Sequence, residues 1–134
     1  MPDLTPDPQI PFPIPDLDFL DFNAVVTAYL DCAQKSEGIS QQSRYVFTSK
    51  ARYTAAKDVY QFLSDAAPVI IRDTKGCSEK ALGHDLWLTR NGYWAGFLDG
   101  SYSDTTCHAL FELAADMGDV PVDIDRHLGT IDFV

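Results

Sequence analysis

The chain has 134 residues, 46% hydrophobic and 12% aromatic, with a formal net charge of −10. That length fits one domain able to bury roughly two thirds of the surface its unfolded form exposes, and the apolar share excludes wholesale disorder. The charge opposes the phosphate term that dominates nucleic-acid binding, and no apolar run reaches the roughly 18–20 residues of a membrane span.

Prolines Pro2, Pro6, Pro8, Pro11, Pro13 and Pro15 remove backbone donors and fix φ, so residues 1–16 are expected as an extended arm before a single domain at 17–134. Ile10, Phe12 and Ile14 alternate with prolines there, a pattern suited to an apolar groove. Phe22, Val25, Val26, Tyr29, Leu30 and Ala33 fall at helical spacing, predicting a helix over roughly 22–35 capped by Asp21 or Asn23. A polar connection, 36–43, leads to a second helix capped by Thr48 or Ser49 and ending near Ala66, where Pro68 stops it. Val69-Ile70-Ile71 reads either as a short strand or as the apolar exit of that helix, and 73–83 as a loop.

Two aromatic-rich arms then flank Asn91-Gly92, which predicts a β-hairpin over Gly83 to Phe97 with a two-residue type I′ turn. In that register Arg90 faces Tyr93 and Thr89 faces Trp94, so Arg90, Tyr93 and Trp94 form an exposed tip. Ser103, Asp104 or Thr105 caps a third helix with Cys107, Leu110, Phe111, Leu113, Ala114 and Met117, stopped by Gly118. Val120–Asp125 and Thr130–Val134 alternate apolar and acidic residues, predicting a second hairpin with one face for the core and one for water. The expected fold class is α+β: an antiparallel sheet built from two hairpins, covered on one side by about three helices.

The stretch Gly83 to Phe97, with Asp99 after it, resembles a signature of small acidic phage-encoded proteins of unassigned function. Its pattern is approximately Gly-His-Asp-Phe-Trp-Leu-Thr-Arg-Asn-Gly-His-Gly-Ala-Gly-Phe-Trp-Asp. Here Leu86 stands in place of the Phe, Tyr93-Trp94 in place of His-Gly and Leu98 in place of the second Trp. The resemblance extends to Asp21-Phe22-Asn23 and the helix after it. It implies an accessory protein of a phage or prophage acting in the bacterial cytoplasm, and it implies no reaction.

Charge is concentrated at the ends. Residues 1–22 hold five acids and no base, and residues 104–134 hold seven acids against Arg126 alone. Such an asymmetry steers a basic partner surface towards the molecule. Asp123, Asp125 and Asp132 on one strand face, with Asp116 and Asp119 nearby, are the candidate binding carboxylates, joined by Arg90, Tyr93 and Trp94 at the hairpin tip.

Three other chemistries compete. A hydrolase would use Cys107 as nucleophile, His84 as base and Asp85 or Asp99 to orient it. A zinc site would gather Cys77, His84, Cys107 and His108, but the sequence has no Cys-x-x-Cys pair. A nucleic-acid platform would stack bases on Trp87, Tyr93 and Trp94 beside Arg90. Cys32, Cys77 and Cys107, odd in number and without a signal-like start, read as reduced cytosolic thiols. The favoured reading is a non-enzymatic acidic module with no cofactor and no metal that binds a host protein with a basic surface. In its most specific form it is an anti-defence inhibitor imitating nucleic-acid phosphates.

Overall fold

The computed structural model describes residues 17–40, 43–93, 96–99 and 102–134, so the proline-rich arm at 1–16 lies outside the described residues. Helix α1 spans Phe22–Ser36, and the Asp21 carboxylate caps it by accepting from the Ala24 N–H at 3.3 Å. Thr48 Oγ1 accepts from the Ala51 N–H at 3.0 Å to start α2, Ser49–Ile70. This helix runs through Pro68, against the expectation that the proline would end it. Ser64, one turn earlier, is exposed, so water can reach the carbonyl that Pro68 leaves without a donor. Val69-Ile70-Ile71 is therefore the apolar exit of the helix, with Ile70 fully buried one turn beyond Ala66 and two beyond Leu63.

The hairpin expected over Gly83 to Phe97 does not form. Residues Glu79–Arg90 are a helix, α3, whose start is capped by Ser78 accepting from the Ala81 N–H at 3.1 Å. Its buried residues Leu82, Gly83, Leu86, Trp87 and Thr89 recur every three or four positions, a helical stripe and not the alternation of a strand. The Asn91-Gly92 pair acts here as a helix stop. Gly92 takes φ +79°, its N–H donates to Thr89 O at 3.2 Å, and the Tyr93 N–H donates to Leu88 O at 2.9 Å. These two bonds make the Schellman ending of a helix, which needs only Gly92 left-handed, whereas a type I′ turn would need Asn91 left-handed as well and Asn91 stays at φ −98°.

Ser103 caps α4, Asp104–Asp116, and Gly118 at φ +80° follows its end as expected. The terminal hairpin is present: β2, Val122–Asp125, pairs antiparallel with β3, Thr130–Phe133. A strand that the sequence reading missed, β1 at Val46–Phe47, pairs parallel with β3, so the sheet order is β1-β3-β2. Two apolar residues are too few for any period to register. Among the described residues the fold is thus four α-helices against one small mixed sheet, α+β but mainly helical.

Helices α1 and α3 lie side by side in the same direction. Near the start the Asp21 N–H donates to Glu79 Oε2 at 3.0 Å, and further along Tyr29 meets Trp87 edge to face, ring centroids 5.3 Å apart. Gly83 sets their closeness, because a Cβ on it would stand 2.4 Å from Val25 O and 2.7 Å from Ala28 Cβ. Trp87 then reaches the inner face of the sheet at Phe133, whose ring also packs against Phe47, both centroid distances being 5.7 Å. A second aromatic line joins Phe62 of α2 to Phe97 and Phe97 to Tyr102, at 5.4 Å each.

Candidate functional site

Arg90 is the residue whose role changes most between sequence and structure. Its side chain is 7% exposed and forms an ion pair at 2.8 Å with Asp58 of α2, itself 23% exposed. The same guanidinium donates to Tyr29 Oη at 2.9 Å, to Gly118 O at 2.8 Å and to Met117 O at 3.2 Å. One side chain from the end of α3 thus joins α1, α2 and the C-terminal end of α4, where a cation also suits the helix dipole. Arg90 is an internal clamp and not the exposed hairpin tip the sequence suggested.

The rest of the Gly83 to Phe97 stretch has comparable internal work. Asn91 donates from Nδ2 to Trp87 O at 3.0 Å and accepts the Val120 N–H at 3.0 Å, tying the helix end to the segment entering β2. Thr89 Oγ1 accepts the Phe97 N–H at 3.0 Å, and a Cβ on Gly96 would lie 2.2 Å from that same oxygen. Asp85 accepts from Tyr102 Oη at 2.7 Å, and burial holds its carboxyl above the usual range. A stretch that reads as a recognition motif is largely a set of packing and hydrogen-bonding contacts.

The candidate carboxylates lie elsewhere. In the β2–β3 register Asp123 faces Asp132 directly, and Val122, Ile124, Ile131 and Phe133 share the opposite, inward face. Asp125 shares the outer side but is held by its turn, accepting from the His127 and Leu128 N–H groups at 2.9 Å each. Asp116, the last residue of α4, and Asp119 beyond it are exposed. Among the described residues none of these five carboxylates has an ion pair; the pair present is Arg90–Asp58. Arg52 of α2, a candidate to neutralise them, donates instead to Phe47 O at 3.4 Å and Ser49 Oγ at 3.0 Å. Trp94 lies outside the described residues.

Tyr93 and Asp119 do come together, across a cleft of about 430 Å³ between the end of α3, a 3₁₀ turn at Phe97–Asp99, and α4. Tyr93, Leu98, Phe111 and Ala115 supply its apolar lining, and Arg90 and Asp119 also line it. No local pattern marks this cleft, because Leu98, Phe111 and Ala115 belong to elements that meet only in the tertiary fold.

The residues of the competing chemistries stay apart in their bonding. Cys107 donates its thiol to Asp104 O at 3.3 Å in the first turn of α4. His84 lines a polar groove between α1 and α3 with Asp31, Lys35 and Lys80, and burial followed by the two lysines lowers its pKa. Asp85 is engaged with Tyr102, and no hydrogen bond or ion pair links His84, Cys107 and Asp85 among the described residues. Burial, then the Asp73 carboxylate, pushes the Cys77 thiol up to about 11, which keeps it protonated near neutrality. Among the described residues no three His, Cys, Asp or Glu side chains are grouped to hold a metal ion. No described helix is long and apolar enough to cross a membrane.

No family model matches the chain, and neither the curated proteins nor the solved structures compared with it include a match.

Proposed function

We propose that this protein is a non-enzymatic acidic binding module whose outer β2–β3 face receives a basic surface of a protein partner, in the manner of the phage accessory proteins its motif resembles. The observation that carries the reading is the Asp123–Asp132 pair. Two carboxylates face one another across adjacent strands, where like charges cost stability, and no described cation relieves them. A lysine or arginine brought by a partner would remove that repulsion, and the surplus of six negative charges over residues 104–134 would steer it there.

The general binding form is favoured over nucleic-acid mimicry. Asp125 is occupied by its turn and Asp132 Oδ1 accepts the Phe133 N–H at 2.9 Å, which leaves too few open carboxylate oxygens on the ribbon to copy a run of phosphates. The test is recovery of basic proteins from bacterial lysate by immobilised wild type and by the Asp123→Asn/Asp132→Asn variant, at low and high salt. Recovery is expected to fall in the variant and with salt, and to persist in Cys107→Ala and His84→Ala. Undiminished recovery by the ribbon variant, or its loss in the Cys107 and His84 variants, overturns the reading.

A further inference from the structure

We propose that the cleft between the C-terminal ends of α3 and α4 is an anchor pocket for an apolar side chain presented by a basic peptide segment. This rests on the reading that the partner is a basic protein and adds where that partner's apolar anchor sits. The cleft's volume of about 430 Å³ falls within the usual range for ligand pockets. Tyr93 and Leu98 on its walls are 47% and 44% exposed, so the fold leaves large apolar groups uncovered at one place.

Electrostatics select the occupant. Asp119 lines the cleft and Asp116 ends α4, both exposed and without an ion pair among the described residues. Arg90, although it lines the cleft, is committed to Asp58 and to the carbonyls of Met117 and Gly118 at the end of α4, so the charges left facing solvent are those of the two carboxylates. A second copy of the chain would bring another net charge of −10 against the first. An uncharged ligand would use the walls and leave the carboxylates unmatched. An apolar side chain flanked by lysine or arginine matches both.

The probe is a synthetic peptide, Lys-Lys-Leu-Trp-Leu-Lys-Lys, titrated into the full ¹⁵N-labelled chain, with Glu-for-Lys and Ala-for-Leu/Trp peptides as controls. Saturable shifts are expected at the Phe111, Ala115, Gly118 and Asp119 amides with the first peptide alone. Asp119→Asn should weaken binding roughly threefold to tenfold, the effect of one rim charge. Ala115→Leu should weaken it at least about tenfold by filling the cleft, and since leucine is a good helix former the circular dichroism should be unchanged. Asp123→Asn/Asp132→Asn should leave these shifts intact, which separates a failure of the ribbon from a failure of the cleft. The proposal is overturned by absent shifts, by equal binding of the Glu peptide, or by an Ala115→Leu variant that binds normally. It is equally overturned by a dimer that Ala115→Leu dissolves, which makes a second copy the occupant. A Trp94→Ala variant that binds the peptide about tenfold more tightly assigns the cleft to the chain's own side chain instead.

Discussion

Residues 83–97 and residues 120–134 present the same surface pattern in sequence, two apolar arms about a glycine-containing bend, yet one is a helix with a Schellman stop and the other a true hairpin. Both bends contain a left-handed glycine, Gly92 at φ +79° and Gly129 at φ +68°. The bend therefore carries no information about which structure surrounds it. The arms do. In β2 and β3 the apolar side chains Val122, Ile124, Ile131 and Phe133 hold strict alternation with carboxylates, whereas Leu82, Leu86 and Thr89, with Gly83 and Trp87, repeat at a helical interval. The two regions also divide the labour: the helical one holds the molecule together, and the ribbon exposes its charge.

Substitutions can break that division, beginning where the effect is largest. Arg90→Ala should cost about 3 kcal/mol or more in urea-denaturation stability, since it leaves Asp58 without its cation and two helix-end carbonyls without donors. Arg90→Lys should recover only part, because an ammonium group cannot reach four acceptors spread over three helices and a turn. A cost below about 1 kcal/mol, as for an ordinary surface residue, would return Arg90 to the exposed role. Gly83→Ala should cost about 2 kcal/mol, as a methyl 2.4 Å from Val25 O must push α1 from α3. Its sign is decisive, since the same change in an uncrowded helix is stabilising.

The third test uses pH. Asp85 has its pKa raised in the folded chain by burial first, so its contribution is fully present below the unfolded carboxyl pKa and is lost as pH rises through the folded one. Wild type should therefore lose stability relative to Asp85→Asn as pH increases across that window, measured by urea midpoints at matched ionic strength. A constant difference would show that the carboxyl titrates alike in both states. The smallest effect belongs to the ribbon: Asp123→Asn should stabilise by a few tenths of a kcal/mol, about 0.5 at most, and less as salt rises.

What could be read without coordinates follows from the same contrast. Asp21, Thr48 and Ser103 announced three helix starts because a capping side chain is a local device, and the alternation at 120–134 announced the ribbon and its acidic outer face. Helix α3 was hidden by the Asn-Gly pair, although Ser78 three residues before Ala81 offered the same kind of capping signal. Pro68 misled because exposure of Ser64 decides what its missing donor costs, and exposure is tertiary. Of the candidate site, Asp123 and Asp132 were legible from periodicity. The cleft was not, being assembled from Tyr93, Leu98 and Phe111 by the packing of three segments.

The sheet order has a consequence for synthesis. β3 is the central strand although it comes after both of its neighbours in sequence, so β1 at Val46–Phe47 has no strand to join until residues 130–133 leave the ribosome. At ordinary elongation speeds that interval is about 4–17 s, long compared with helix formation. The growing chain must hold its helices together during that time with an incomplete hydrophobic wall, and the brevity of β1, two residues long, limits how readily another nascent chain can seize its waiting edge.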